Sequence, residues 1–540
     1  MGRFLQDGEE PRGPQLLAEG AEGPERMVLA GRVVTLDGAS TVLPAGFVCI
    51  EDETIAAVVG DAAQLPAEFG ELKPIRTQGT IYPGLIELHN HLPYNMLPLW
   101  DVPQRYANRM QWRNDYARYA PEIRWPAKVL GSNPDLDYQR AIARYVECRA
   151  LFGGTTTAQG LSRRDEFYRG LTRNVEDPDE EGWPVAHGRT DDARPDRIRE
   201  DILEKLRQGR PFFYHLAEGT DEEARRRFLD LDLGKDGWAI DPNLIAIHCT
   251  GLHPADFKQL AAAAGMVWSP LSNFLLYGRT AHVEAAAREG VRIALGADWS
   301  PSGSKNLLGE LKVARIVDEA LGAPFGYEAL VRMVTSTPAA MLGWDAFVGS
   351  VEPGKRADLL ILAGDSDDPY AQLVSAAENQ IVAVMVDGRP RLGRRGSMRF
   401  SPDQQETVRI GGQPYTLDLA EPSGPTLNGM SLSSAVAKLS YGLANMPELA
   451  RDYAAETCFL VRLAERGQLP RTLLDAPWGI EMELDSDLGT LRDNCDRASE
   501  IDQTLIRRLV LPPLTEIDDP SFRARVRANV NLPAFLRGRL

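Results

Sequence analysis

The sequence predicts an α/β protein built around a closed, TIM-like (β/α)8 barrel, and three observations predict it. Short apolar, strand-like runs alternate with helix-like stretches through the middle of the chain, the pattern of a parallel sheet covered by helices. The alternating region, residues 81–346, matches the length of one such barrel, about 250 residues. No Gly-rich dinucleotide fingerprint supports the competing open, doubly wound sheet.

Taken in order, the chain starts with "MGRFLQDGEEPRGPQLLAEGAEGPE", a mixture of Gly, Pro and Glu without the continuous apolar block of a signal peptide. Residues 1–25 are expected to be a mobile arm. "MVLAGRVVTLDG" (27–38) and "GFVCIEDETIAAVVG" (46–60) are short β-branched runs punctuated by Gly and Asp-Gly, the signature of strands and tight turns. The same texture returns in "GSVEPGKRADLLILAG" (349–364) and "QIVAVMVDGRPRLG" (380–393). Residues 26–80 and 347–398 are therefore expected to pair into one small β-sandwich domain built from both flanks.

Between the flanks, "TIYPGLIEL", "GGTTTAQG", "RPFFYHLAE", "NLIAIHCTG", "GMVWSPLSN" and "VRIALGADWS" read as barrel strands, and "ADFKQLAAAAG" and "HVEAAAREG" as helices. The gap between "GGTTTAQG" and "FFYHLAEG" is short for the two further strands and helices a regular barrel needs. Strands 3 and 4 are placed at "FYRGLTRNV" (167–175) and "WPVAHG" (183–188), in a barrel compressed between strands 2 and 5. Beyond residue 400 the texture becomes helix-like, as in "SLSSAVAKLSYGLANMPELARDYAAETCFLVRLAERG" (431–467) and "DQTLIRRLVL" (502–511). Residues 399–540 are expected to be a helical extension, to which the sequence assigns no role.

Composition bounds the function. Sixty basic against 77 acidic residues give a formal charge of -17, which repels a long polyanion, so nucleic acid is not an expected partner. No uninterrupted apolar span has membrane length, so no membrane association is expected. Five cysteines, Cys49, Cys148, Cys249, Cys458 and Cys495, lie far apart without a metal or redox spacing. Free thiols in a reducing compartment, hence a cytoplasmic protein, are expected.

The chemistry concentrates at strand ends. In "GLIELHNHLPYN" (84–95) a strand would point His89 and His91 to one face, at the carboxyl end where barrel active sites form. His215 in "FFYHLAEG", His248 in "LIAIHCTG" and Asp298 in "IALGADWS" also end apolar runs, where burial is costly without partners. The chain has seven histidines and four of them occupy such ends, so chance placement is a poor explanation. His89, His91, His215 and Asp298 supply three imidazoles and a carboxylate, donors suited to zinc or ferrous iron with a position left for water.

"PGLIELHNH", "GGTTTAQG", "HLAEG", "HCTGL", "SPLSN", "LGAD", "TSTPAAMLGW" and "GSVEPGKRADLLIL" follow one another along the chain. In that order they resemble the amidohydrolase superfamily, in particular its cytosine deaminase, triazine hydrolase and adenosylhomocysteine deaminase-like branch, over residues 27 to 395. The resemblance implies that His89, His91, His215 and Asp298 bind one divalent metal, zinc first and iron(II) second. It also implies that Glu218 shuttles protons and that His248 helps hold hydroxide or substrate, so that Glu218, His248 and Asp298 form the catalytic set.

The implied reaction replaces C–NH2 of an aminated heterocycle with C=O through a metal-bound hydroxide. Two-metal members use a bridging carbamylated lysine, but no lysine occurs between Lys128 and Lys205, which argues for one metal; a bridging Glu176 is a lesser alternative.

"LGADWSPSGSKNLLGE" departs from the usual family turn and sets Trp299 beside the ligand Asp298. The Tyr-, Trp- and Arg-rich segment 94–125 could clamp a planar or anionic substrate, although helices packing aromatics over the barrel mouth explain most of it. Asn95, Trp100, Asn273 and Trp299 are the expected substrate-binding residues, with an Asx turn as the competing account of Asn273. His187, His253 and His282 receive no role. The expected partner is a small-molecule substrate, and a homo-oligomer is left open. Two alternatives stay open: a hydrolase of cyclic amides or other C–N bonds, and a non-catalytic metal-binding scaffold whose C-terminal region recruits a partner.

Overall fold

The computed structural model describes residues 25–540 apart from 161–170, 179–180, 190–191, 365, 421–426, 476–489 and 499. Of the expected arm, residues 1–24 lie outside the described residues.

Four strands come first: β1 (Arg26–Val34), β2 (Val42–Glu51), β3 (Thr54–Val59) and β4 (Ile75–Pro83). The barrel strands are β5 (Leu85–Glu87), β6 (Thr155–Ala158), β7 (Arg173–Asn174), β8 (His187–Arg189), β9 (Phe212–Leu216), β10 (Leu244–His248), β11 (Gly265–Trp268) and β12 (Ile293–Leu295). β13 (Leu359–Ala363), β14 (Ile381–Val386), β15 (Arg389–Arg394), β16 (Gln405–Ile410) and β17 (Gln413–Asp418) follow.

The two flanks meet where β13 lies antiparallel to β4, with Ile361 opposite Ile81. They form one nine-stranded sheet in the order β16-β17-β15-β14-β13-β4-β1-β2-β3. Alternate residues such as Leu29 and Val33, or Leu359 and Ile361, share one core with Val48 and Ile81, as the two-residue side-chain period of a strand requires. The expected sandwich is thus a single hydrogen-bonded sheet that closes one face on its own core. The sheet also runs past residue 398, because β16 and β17 pair with each other and β17 with β15. The segment after 399 is therefore not wholly helical; the alternation of exposed and partly buried positions along Gln405–Ile410, ending at the buried Ile410, is the strand pattern that the helical reading overlooked.

The barrel closes through two seams. β5-β6-β7 and β8-β9-β10-β11-β12 are parallel sheets. Beyond β7 and before β8, Ala186 N–H donates to Val175 O at 2.9 Å. At the other seam Asn90 and Asp298 form a parallel bridge, Asp298 N–H donating to His89 O (3.0 Å) and His91 N–H to Asp298 O (2.7 Å). That second seam sets the candidate metal ligands side by side through backbone hydrogen bonds. The strands β9 and β10 are buried at every position, as expected when both faces of a parallel sheet are covered. β7 and β8 have only two and three residues; β7 falls within 167–175 and β8 overlaps 183–188.

Helices used below are α1 (Asp137–Phe152), α2 (Pro270–Tyr277), α3 (Leu307–Ala320), α4 (Leu432–Ala444), α5 (Met446–Glu465), α6 (Leu491–Ala498) and α7 (Phe522–Ala528). α2 starts with Pro270 in its first turn and stops at Gly278 in the left-handed region (φ 72°), the usual placement of these two residues at helix ends. Asn306 caps α3 by accepting from Gly309 N–H. α5 and α6 are joined by a disulfide between Cys458 and Cys495, which corrects the expectation of five free thiols. The two cysteines are 37 residues apart in sequence; only the packing of α5 on α6 around Val461, Ala464 and Leu491 brings them together. Cys49, Cys148 and Cys249 are free and buried. Among the described residues no helix is long and apolar enough to cross a membrane.

Candidate metal centre

Five buried side chains converge at the carboxyl end of the barrel. His89 and His91 follow β5, His215 lies within β9, His248 ends β10 and Asp298 follows β12. Asp298 Oδ1 lies 3.1 Å from His89 Nε2 and 3.5 Å from His91 Nε2, and the Nε2 atoms of His91 and His215 face each other at 3.3 Å. His89, His215 and His248 form a second group whose ring nitrogens lie within 4.8 Å of one another. His248 (φ 66°) and Asp298 (φ 67°) both hold the left-handed backbone region, a costly conformation for such residues that surrounding structure must enforce and that is often found at functional sites. Gly296 is needed for the approach of β12, since a Cβ there would lie 2.6 Å from His89 Cβ.

The donor set fits a divalent cation. His89 is fully buried, and apart from the 3.1 Å approach of Asp298 Oδ1 to Nε2 its ring nitrogens meet no polar partner among the described residues; a buried imidazole so poorly satisfied is costly unless it binds something. Burial holds His91 down to about 4, and burial reinforced by the neighbouring imidazoles holds His215 and His248 well below the usual histidine value. These three rings are therefore neutral at pH 7, the form that ligates metals. Burial alone would raise Asp298, but the imidazoles of His89, His248 and His91 beside it, His89 in contact, outweigh it and keep the carboxylate ionised. Ser272 Oγ donates to its other oxygen, Oδ2, at 2.6 Å, fixing which oxygen faces the imidazoles.

Glu218 stands beside this group. Its Oε1 accepts from the Tyr277 hydroxyl at 2.6 Å, and Tyr277 Oη in turn accepts from Trp112 Nε1 at 2.8 Å. Its Oε2 lies 3.6 Å from Arg109 Nη1 and 3.8 Å from His248 Nε2. Burial raises Glu218 to about 7 against the pull of the Arg109 guanidinium, so the carboxyl can both give and take a proton near neutral pH.

The other expected residues are distributed as follows. Asn273 Nδ2 lies 3.1 Å from His248 Nδ1, in contact with the group. The Trp299 ring is edge-on to His91 at 6.1 Å, and its Nε1 donates to Ser302 Oγ. Asn95 sits behind the site: its amide donates to Asn90 Oδ1 and its Oδ1 accepts from Ser300 N–H, both at 2.9 Å. Trp100 stacks on Tyr106 at 5.9 Å, with a buried indole N–H that has no partner among the described residues. Glu176 accepts from Gln159 at 3.4 Å and belongs to neither donor group.

Sequence reasoning did not find Glu87, Ser272, Tyr277, Arg109 or Trp112. Glu87 was within reach of the period-two rule that found His89 and His91, since it precedes His89 by two; it accepts from Ala297 N–H at 2.8 Å, and burial raises it to about 7. Tyr277 lies four residues after Asn273 on α2, one helical turn on the same face. Nothing in the local sequence of Arg109 or Trp112 points to Glu218.

Together the ring of eight parallel strands and the four histidines and one aspartate at its carboxyl end define a class: an α/β barrel whose strand ends gather donors that could hold a metal ion. Residues 194–391 match the model of the amidohydrolase family. The chain is 26% identical over 414 residues to the 5-methylthioadenosine/S-adenosylhomocysteine deaminase of Symbiobacterium thermophilum, covering 68% of this chain and 93% of that one. Its fold is similar to an adenosine deaminase from Xanthomonas campestris with bound zinc (TM-score 0.52, 20% identity, 69% of this chain and 94% of that one). It is also similar to an atrazine chlorohydrolase from Arthrobacter aurescens TC1 complexed with zinc (TM-score 0.54, 18% identity, 68% and 95%). Residues 194–391 thus carry the amidohydrolase-family match, and the likeness to these relatives extends over about two thirds of the chain.

Proposed function

We propose that the protein is a metal-dependent aminohydrolase that replaces the C–NH2 of an aminated heterocycle with C=O and releases ammonia. The observation that carries this reading is the pairing of a cation-ready donor group with a buried acid, Glu218, poised near pH 7 at 3.8 Å from His248. The relative from Symbiobacterium thermophilum is named for adenosine-type amines, which puts 6-aminopurine nucleosides first among substrates.

His89, His91, His215 and Asp298 would hold one ion, zinc before iron(II). Such an ion, when bound, polarises water so that hydroxide is available at neutral pH. Asp298, kept ionised, orients that water and accepts its proton. Glu218 delivers its proton to a ring nitrogen, and the proton held by Asp298 goes to the departing amine. Glu218 takes back the proton of the added oxygen as C=O forms, so both carboxyl groups end as they began. The hydrogen bond that Glu218 accepts from Tyr277 leaves its Oε2 as the oxygen turned toward His248. His248, oriented by Asn273, fixes the oxygen being added. The planar ring would lie against Trp299, with Asn273 and the unpartnered Trp100 indole N–H as polar contacts; Asn95 would act by shaping the loop rather than by touching substrate.

The reading includes a compressed barrel spanning 81–346, a composite β domain from 26–80 and 347–398, and a cytoplasmic location. The Cys458–Cys495 bond argues against that location, and alkylation of thiols at lysis decides it. Elemental analysis of protein prepared without chelator, followed by an ammonia-release screen beginning with aminopurine nucleosides, tests the activity. One bound zinc or iron per chain with ammonia formed stoichiometrically with product is expected. Substrate loss without ammonia would move the protein to cyclic amides or other C–N bonds.

A further inference from the structure

The C-terminal 30 residues touch three loops that leave the carboxyl ends of barrel strands. After β5, Arg525 donates to Leu99 O and meets Asp101 Oδ1 at 3.1 Å. After β12, Lys305 Nζ donates to Pro513 O (2.7 Å), pairs with Asp519 (2.9 Å) and lies over the Phe522 ring. After β11, Phe535 packs edge-on to Phe274 of α2 at 5.9 Å.

Asn531 ties two of these loops together. It is 4% exposed, and its Nδ2 donates to Gln104 O at 2.9 Å and to Leu275 O at 2.8 Å. Leu275 lies in the last turn of α2, where carbonyls have no partner within the helix; the next one, Leu276 O, accepts from Tyr106 N–H at 3.1 Å. The end of α2 is thus fastened from outside, by Asn531 and by the 99–106 loop.

α2 has only two turns, and it carries three bonds to the centre: Ser272 to Asp298, Asn273 to His248 and Tyr277 to Glu218. A short helix moves as a unit, so a shift at Leu275 shifts all three. We propose that Asn531 is a positioning residue of the site: by capping α2 and binding it to the 99–106 loop, it holds Ser272, Asn273 and Tyr277 in register with Asp298, His248 and Glu218. This rests on the aminohydrolase reading for its kinetic consequence but not for its structural one.

The test uses the full-length, metal-loaded protein with Asn531→Leu, which is isosteric but lacks donors, and the milder Asn531→Ser. Val530→Ser, at an exposed neighbour, is the control. Two readouts are taken: amide hydrogen exchange, and kcat and KM for ammonia release. Exchange at 272–278 and 99–106 is expected to quicken by about tenfold or more in both Asn531 variants, with the nine-stranded sheet unchanged. kcat is expected to fall roughly 10–100-fold with KM little changed, as for a small displacement of reacting groups.

Wild-type exchange in both segments overturns the proposal. So does quickened exchange with undiminished kcat, which would make Asn531 structural only. Exchange needs no substrate, so a wild-type enzyme that releases no ammonia from any amine defeats the aminohydrolase reading while leaving the exchange comparison to decide Asn531.

Discussion

Glu218 has a different task from the residues around it. His91, His215 and His248 are held neutral by burial and Asp298 is held ionised, whereas burial brings Glu218 to about 7. Glu218→Gln keeps the shape and the Tyr277 contact but cannot exchange a proton. Turnover should drop by about 10²–10⁴-fold with metal content unchanged by elemental analysis; undiminished turnover removes Glu218 from the scheme. His215→Ala, in contrast, should lose the metal itself, and full occupancy in that variant would show a wrong choice of ligand.

Glu310 on α3 gives a pH signature away from the donor group. Burial raises it to about 8 although Ser304 and the Leu271 N–H bond to it. An acid raised on folding stabilises the native state fully below its unfolded value near 4.5, and that contribution is lost as pH rises toward 8. Gln mimics the protonated form. The melting temperature of Glu310→Gln relative to wild type should therefore climb between pH 4.5 and 8 and level off above; a pH-independent difference would mean that Glu310 is ionised throughout.

At the scale of elements, α2 supplies the second layer of the site. Its Pro270 start and Gly278 stop fix its length, and its inward face presents Ser272, Asn273 and Tyr277. Ser272→Ala frees Asp298 Oδ2 and should weaken metal affinity by about 10–100-fold, the usual cost of losing a bond to a ligating group; chelator competition measures it, and an unchanged affinity would assign Ser272 to packing alone.

The strand ends that carry the candidate donors were legible because a period of two and the cost of burying polar groups are local rules. The contribution of α2 beyond Asn273 was not. "SPLSNFLLY" reads as an apolar helix, and only the neighbours brought by β9, β10 and β12 make Ser272 and Tyr277 functional.

At the scale of the molecule, two features escaped the sequence reading, one a local hairpin pattern that was passed over and the other set by long-range packing. The nine-stranded sheet takes β16 and β17 from the region expected to be helical, and α5 and α6 are locked by Cys458–Cys495. Cys458→Ser, or reduction, should cost about 2–4 kcal/mol in chemical denaturation, with metal content unchanged. Equal stability of oxidised and reduced protein would show that the bond fastens two helices already held by packing.

The sequence by itself pointed to the α/β barrel and to the polar residues at its strand ends, because alternation of apolar runs and the cost of burying polar groups are local signals, while the family resemblance came from the order of motifs along the chain. Tertiary structure alone decided that His89 and Asp298 meet across the closing seam, that Tyr277 and Arg109 flank Glu218, and that Asn531 reaches α2. These contacts join residues tens to hundreds of positions apart, and no local preference encodes a distance that only the packed chain creates.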